Sequence, residues 1–172
     1  MVESRHRGAV AVVRADGELI ASLGDISRLI YPRSAIKPIQ ALFLIESGAA
    51  DALGLSDREL ALACASHNGE PEHIETVQTW LARMGLDESA LECGAHLPRR
   101  GKDRKALIER GLDPSPMHNN CSGKHAGFLS SAHHLRLPIE GYIKRSHPVQ
   151  RAVLDRKSTR LNSSHQIISY AV

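Results

Sequence analysis

The sequence predicts a mixed α/β protein in which a short strand region precedes a largely helical body. Three observations carry that prediction. An Asp16-Gly17 step separates two short β-prone runs near the N-terminus. From Ser34 onward, apolar residues recur at helical spacing between glycine and proline stops. The chain has no internal repeat or low-complexity tract that would signal a solenoid or a fibre. At 172 residues it suits one domain, or one domain with part of another.

The elements follow in order. Residues 9–14 and 19–23 are apolar runs joined by Ala15-Asp16-Gly17-Glu18, and Asp-Gly at such a junction is a strong hairpin signal. Residues 26–31 are apolar enough to extend the sheet before Pro32 stops it. Ser34 opens a helix through Glu46 that Gly48 ends. Ile39, Ala41, Leu42, Phe43, Leu44 and Ile45 make it apolar nearly all round, so it should be buried. Pro38 lies close enough to its start to be tolerated, with a kink possible. Ser56-Asp57-Arg58-Glu59 is a capping box ahead of a helix over residues 60–65, which Ser66-His67-Asn68-Gly69 breaks. Residues 70–84 form an amphipathic helix striped by Ile74, Val77 and Leu81. Short helices follow over residues 102–110 and 124–135, and His147-Pro148-Val149 begins a last one.

Composition excludes several classes of function. Only one Trp, three Tyr and two Phe are present, too few for a base-stacking platform. The net charge of +3 comes from dispersed residues, and part of it sits at the C-terminus in Arg156, Lys157 and Arg160. No footprint for nucleic acid results. No apolar run approaches membrane-spanning length, and no charged-then-apolar leader opens the chain. Cys64, Cys93 and Cys121 are too few and too scattered for a disulfide framework, so a reducing cytoplasm is the expected setting.

Three polar clusters carry the chemistry. His118-Asn119-Asn120-Cys121-Ser122-Gly123-Lys124-His125 gathers a thiol, an amine, two imidazoles and two amides. Cys121 and Lys124, three apart, share a helix face and both can donate to Zn²⁺ once deprotonated. A bland alternative makes this a polar loop with Ser122 as N-cap of the next helix. Arg33-Ser34-Ala35-Ile36-Lys37 is a Ser-x-x-Lys at a helix start, placing the amine about one turn from the hydroxyl. A buried Lys can serve as base for such a Ser, although Ser34 can equally be an N-cap. In Cys64-Ala65-Ser66-His67-Asn68-Gly69-Glu70, Ser66 is a candidate nucleophile or oxyanion donor, and His67 and Asn68 can orient an amide. Its competitor is a helix C-cap through Asn68-Gly69. Cys93 with His96 makes a weak metal pair, and a small buried thiol is the simpler role for Cys93. His133 and His134 read as surface residues.

Residues 155–172 stand apart. They show no usable periodicity, and Asp155-Arg156-Lys157-Ser158-Thr159-Arg160-Leu161-Asn162-Ser163-Ser164-His165 resembles the translation of a high-throughput sequencing adapter. The expected division is therefore a partial domain over residues 1–154 and a non-native tail over 155–172, with the last helix cut short at the join.

Taken together, Val2-Glu3-Ser4-Arg5-His6-Arg7-Gly8, Tyr31-Pro32-Arg33-Ser34-Ala35-Ile36-Lys37-Pro38, residues 64–73, 93–98 and 118–127, and Ser146-His147-Pro148-Val149-Gln150 resemble one family, the Rhizobium-type or thermolabile L-asparaginases II. The resemblance implies hydrolysis of L-asparagine to L-aspartate and ammonia on a fold similar to serine β-lactamases and glutaminases. This chain would hold the N-terminal part of that fold. Ser34 and Lys37 match one of the family's Ser–Lys pairs, and Ser66 matches the Ser of a second whose Lys lies beyond position 154. Cys121 and Lys124 match two zinc ligands; the third, a Cys, also lies further on. Homodimers are implied as well. Arg33, His67 and Asn68 are the candidates for holding the substrate. The site of this chain is accordingly expected to be incomplete, and the activity the resemblance implies is that of the full-length protein. The alternatives are a glutaminase or β-lactamase-like serine hydrolase, and a non-catalytic module that binds zinc or an amino acid.

Overall fold

The structure, a computed structural model, describes residues 3–160. Its mixed class agrees with the sequence: one two-stranded sheet, then helices. Strands β1 (Val10–Val13) and β2 (Leu19–Leu23) pair antiparallel with Val10 opposite Leu23, and the register slips between Val12 and Val13. Asp16-Gly17 makes the turn. Gly17 adopts φ +93° there, which a side chain would resist, and the Asp16 carboxylate accepts the Glu18 N–H at 3.0 Å. Every residue of both strands is exposed, so the hairpin adds nothing to the core. Residues 26–31 do not extend the sheet, and Leu29, Ile30 and Tyr31 are exposed. Their apolar character is real, but an apolar run forms a strand only where a neighbour supplies the pairing.

The helical body begins one turn later than the sequence suggests. A 3₁₀ turn at Arg33–Ile36 leads into α1 (Lys37–Glu46), so Pro38 falls in the first turn, where its missing N–H costs nothing. Helix α2 (Ala49–Ala52) is a single turn entered through Gly48. Helix α3 (Asp57–Cys64) starts with the expected box: the Ser56 N–H and hydroxyl both donate to the Glu59 carboxylate, at 2.8 and 2.9 Å. Glu59 also pairs with Arg83. Helix α4 (Pro71–Ala82) buries Val77, Trp80 and Leu81, while Ile74 at the head of the expected stripe is half-buried. Helix α5 (Gly101–Glu109) buries nothing. Helix α7 (Pro148–Arg160) runs through position 155 without a break, so no change of secondary structure marks the expected boundary at 154. The remainder of the adapter-like stretch, residues 161–172, lies outside the described residues.

The core is arranged around α6 (Ser122–His134), which packs on α1, α3 and α4 and is buried from His125 through Ala132. Leu44, Leu62, Trp80, Leu81, Phe128, Leu129, Tyr142 and Val149 fill the space between these helices. Glycines let α6 come close. A Cβ on Gly123 would stand 2.5 Å from the Leu62 carbonyl oxygen, and one on Gly127 would stand 3.3 Å from Leu44. Helix α1 is covered on one side only: Leu44 is buried, whereas Ile45 is exposed. The N-terminus of α6 therefore sits directly against the C-terminal end of α3, and that junction positions the site.

Candidate active site

At the junction the three polar clusters meet. Helix α3 ends at Cys64 with Ala65 as its C-cap, and Ser66-His67-Asn68-Gly69 continues in an extended loop. The expected C-cap through Asn68-Gly69 is displaced because the helix stops earlier; Gly69, at φ +74°, instead turns the chain beneath the His118 carbonyl. Lys37 is buried, 3 % exposed, at the first position of α1. Its Nζ donates to the Ser66 Oγ at 2.9 Å, to the Ala65 carbonyl at 2.5 Å and to the Asn120 carbonyl at 3.4 Å. Ser66 Oγ in turn donates to Ser34 Oγ at 2.9 Å.

The Ser-x-x-Lys motif is thus assembled differently from its spacing. Among the hydrogen bonds of the described residues none joins Lys37 to Ser34 directly; Ser66, from a segment 32 residues further on, stands between them. Ser34 is exposed and does not cap a helix. Immediately before it, Arg33 holds φ +51°, a left-handed conformation that costs a residue with a side chain about 1 kcal/mol. The Arg33 side chain is exposed on the same turn.

The other expected residues divide. Asn68 is half-buried, and its amide donates to the Glu70 carboxylate at 3.4 Å. His67 lies inside, 4 % exposed, with both ring nitrogens engaged: Nδ1 accepts the Gly69 N–H at 3.0 Å and Nε2 meets the Ser122 hydroxyl at 2.8 Å. Burial, helped by the neighbouring His73, lowers its pKa to about 4, so the ring is neutral near pH 7. The ring is thus held by partners within the protein on both sides. Ser122 is not the N-cap of α6; Cys121 occupies that position, and Ser122 is fully buried in the first turn.

Cys121 and Lys124 open α6 as their spacing implies, both half-buried. Burial pushes the Lys124 amine below its ordinary value, with the Cys121 sulfur opposing the shift. Its Nζ lies 5.7 Å from the centre of the Phe128 ring. A thiol and an amine eased toward neutrality suit zinc by chemistry. They fall short by number: among the described residues no group of three or more His, Cys, Asp or Glu is placed to hold a metal. Cys93 is close enough to feel both, but burial raises its thiol to about 11, and it donates to the Pro116 carbonyl at 3.5 Å.

Two contributors escaped the sequence reading. The Asn120 carbonyl receives Lys37, and Asn119 ties the segments together, its amide donating to the Cys93 carbonyl at 2.7 Å and accepting the Cys121 N–H at 2.9 Å. Backbone carbonyls leave no mark in sequence. The paired asparagines did leave one, as part of the densest polar block of the chain.

A buried amine linked through one hydroxyl to a second, exposed hydroxyl is an arrangement suited to nucleophilic attack on a carbonyl carbon, the chemistry of the hydrolases. Comparison with known proteins makes the class specific. A family model described as L-asparaginase II matches residues 1–172, and the chain belongs to that family, whose members are hydrolases of asparagine. No curated protein matches the chain.

Proposed function

We propose that the chain performs nucleophilic hydrolysis of the side-chain amide of L-asparagine, giving L-aspartate and ammonia. The observation that supports this best is the continuous hydrogen-bonded line from Lys37 through Ser66 to Ser34. An amide is a poor electrophile with a poor leaving group, so it needs an activated hydroxyl and a proton for the departing nitrogen. In this reading Ser34, at the exposed end of the line, attacks. For the attack the line runs in the reverse sense of donation: the Ser34 Oγ bonds to the amide carbon while its proton passes to Ser66 Oγ, and the Ser66 proton passes to the lone pair of an uncharged Lys37 Nζ, whose two N–H bonds face the Ala65 and Asn120 carbonyls. Return of a proton along the same line lets ammonia leave and a β-aspartyl ester remain on Ser34. Water then cleaves that ester. Ser66 is the bridge and Lys37 the proton store. The Arg33 guanidinium suits the substrate's α-carboxylate, and Asn68 suits its amino group.

Zinc would be held by Cys121 and Lys124 with a third ligand, which the family resemblance makes a Cys. Bound there, it would help seat the substrate's charged groups rather than supply a nucleophile. A homodimer in the cytoplasm completes the reading. The test is product capture: the full chain is given L-asparagine, L-glutamine or a chromogenic β-lactam in the presence of hydroxylamine. Aspartyl hydroxamate formed from asparagine is the expected product. Turnover of the β-lactam alone would overturn the assignment.

A further inference from the structure

His67 and Ser122 form a link that a surface-facing role for either would not require. Each directly follows a residue of the candidate site, His67 following Ser66 and Ser122 following Cys121. Both are buried, His67 at 4 % and Ser122 at 0 % exposure, so neither presents an atom to a substrate. The bonding fixes the tautomer. Because Nδ1 accepts the Gly69 N–H, the ring proton sits on Nε2 and donates to Ser122 Oγ at 2.8 Å. Ser122 Oγ then donates onward to the Met117 carbonyl at 3.0 Å. Three segments are thereby joined: the loop after α3, the first turn of α6 and the 3₁₀ turn at Pro116–His118. Lys37 makes the only comparable crossing described between the same loop and the start of α6, through the Ala65 and Asn120 carbonyls.

We propose that the buried His67–Ser122 hydrogen bond is a positioning device that sets Ser66 in register between Lys37 and Ser34, with Ser122 as a positioning residue for the hydrolysis. This deepens the proposed function and rests on it. The physical argument is one of lever length. Ser66 Oγ must lie within hydrogen-bond reach of two groups at once; Ala65 ties its backbone on one side, through the Leu62 carbonyl and Lys37, and His67 is the anchor on the other. Without the anchor, a shift of about 1 Å breaks one of the two contacts, and misplacement on that scale costs roughly 100-fold in rate.

The experiment compares steady-state kinetics and thermal melting of the full chain with those of Ser122→Ala, His67→Leu and His67→Gln. Ser122→Ala is expected to lower kcat by about 10- to 100-fold with KM changed less than about threefold, since the substrate's contacts are untouched. His67→Gln retains an N–H toward Ser122 and is expected to lose less than His67→Leu. A Ser122→Ala protein that melts lower yet keeps its kcat would make the link structural only and overturn the proposal. A rise in KM without loss of kcat in the His67 variants would place His67 against the substrate and overturn it too. An unsubstituted chain that neither releases ammonia nor forms aspartyl hydroxamate overturns the hydrolase reading itself, and this inference with it.

Discussion

Lys37, Ser66 and Ser34 are separated by 29 and 32 residues across their contacts, yet three side chains from two segments make one proton path. What holds them is a set of groups that do no chemistry themselves. His67 is one and His125 another: burial lowers the His125 pKa to about 3, with Lys124 adding repulsion, and its Nδ1 meets the Tyr142 hydroxyl at 2.7 Å. Both rings are neutral in the folded protein and become charged in the unfolded chain below its ordinary pKa of about 6.5. The unfolded state therefore binds more protons between that value and the folded values near 4 and 3. Stability should fall as pH drops through that window and level off beneath it. By the difference between those values the two residues together account for on the order of 8 kcal/mol. Urea midpoints measured from pH 7.5 to pH 4 check the slope. His125→Gln should flatten it, and an unchanged slope in that variant would count against His125 as a source.

At the scale of elements, the site depends on how closely α6 approaches α3. Gly123 permits that approach, since a methyl group there would fall within 2.5 Å of the Leu62 carbonyl oxygen. Gly123→Ala is expected to push the two helices apart, to destabilise the protein by about 1–3 kcal/mol, and to weaken the proton path along with the fold. Denaturation midpoint and ammonia release should drop together; a variant of full stability would show that the helices have slack. This element was half legible. Residues 124–135 read as a helix, but nothing marked Gly123 and Gly127 as points of close packing, because that depends on a partner the sequence does not name. The capping box at Ser56 and the turn at Asp16-Gly17 were legible in full, since both are satisfied by residues two or three positions apart. Residues 26–31 failed for the complementary reason: their apolar character calls for a strand partner, and pairing is not a local property.

Across the whole molecule, the described chain divides into a helical core around α6 and a hairpin exposed on all its residues. No described helix is long and apolar enough to cross a membrane. The site lies wholly within the helical part, which is why its motifs could be read before any contact was known: each is a short polar interruption at a helix end. Their partnership was not readable. Helical spacing pointed from Lys37 to Ser34, and tertiary packing placed Ser66 between them. The inward turn of His67 was equally hidden, because a histidine beside a candidate nucleophile looks the same in sequence whether it faces substrate or core. The Lys–Ser–Ser line is the catalytic device proposed for the protein. Ammonia release from L-asparagine by the full chain, by Ser34→Ala and by Lys37→Met, each checked for folding by thermal melt, tests it most directly. The expected result is release by the unsubstituted protein and a loss on the order of 1,000-fold or more in both variants. A folded Ser34→Ala or Lys37→Met protein that matches the unsubstituted rate would contradict it.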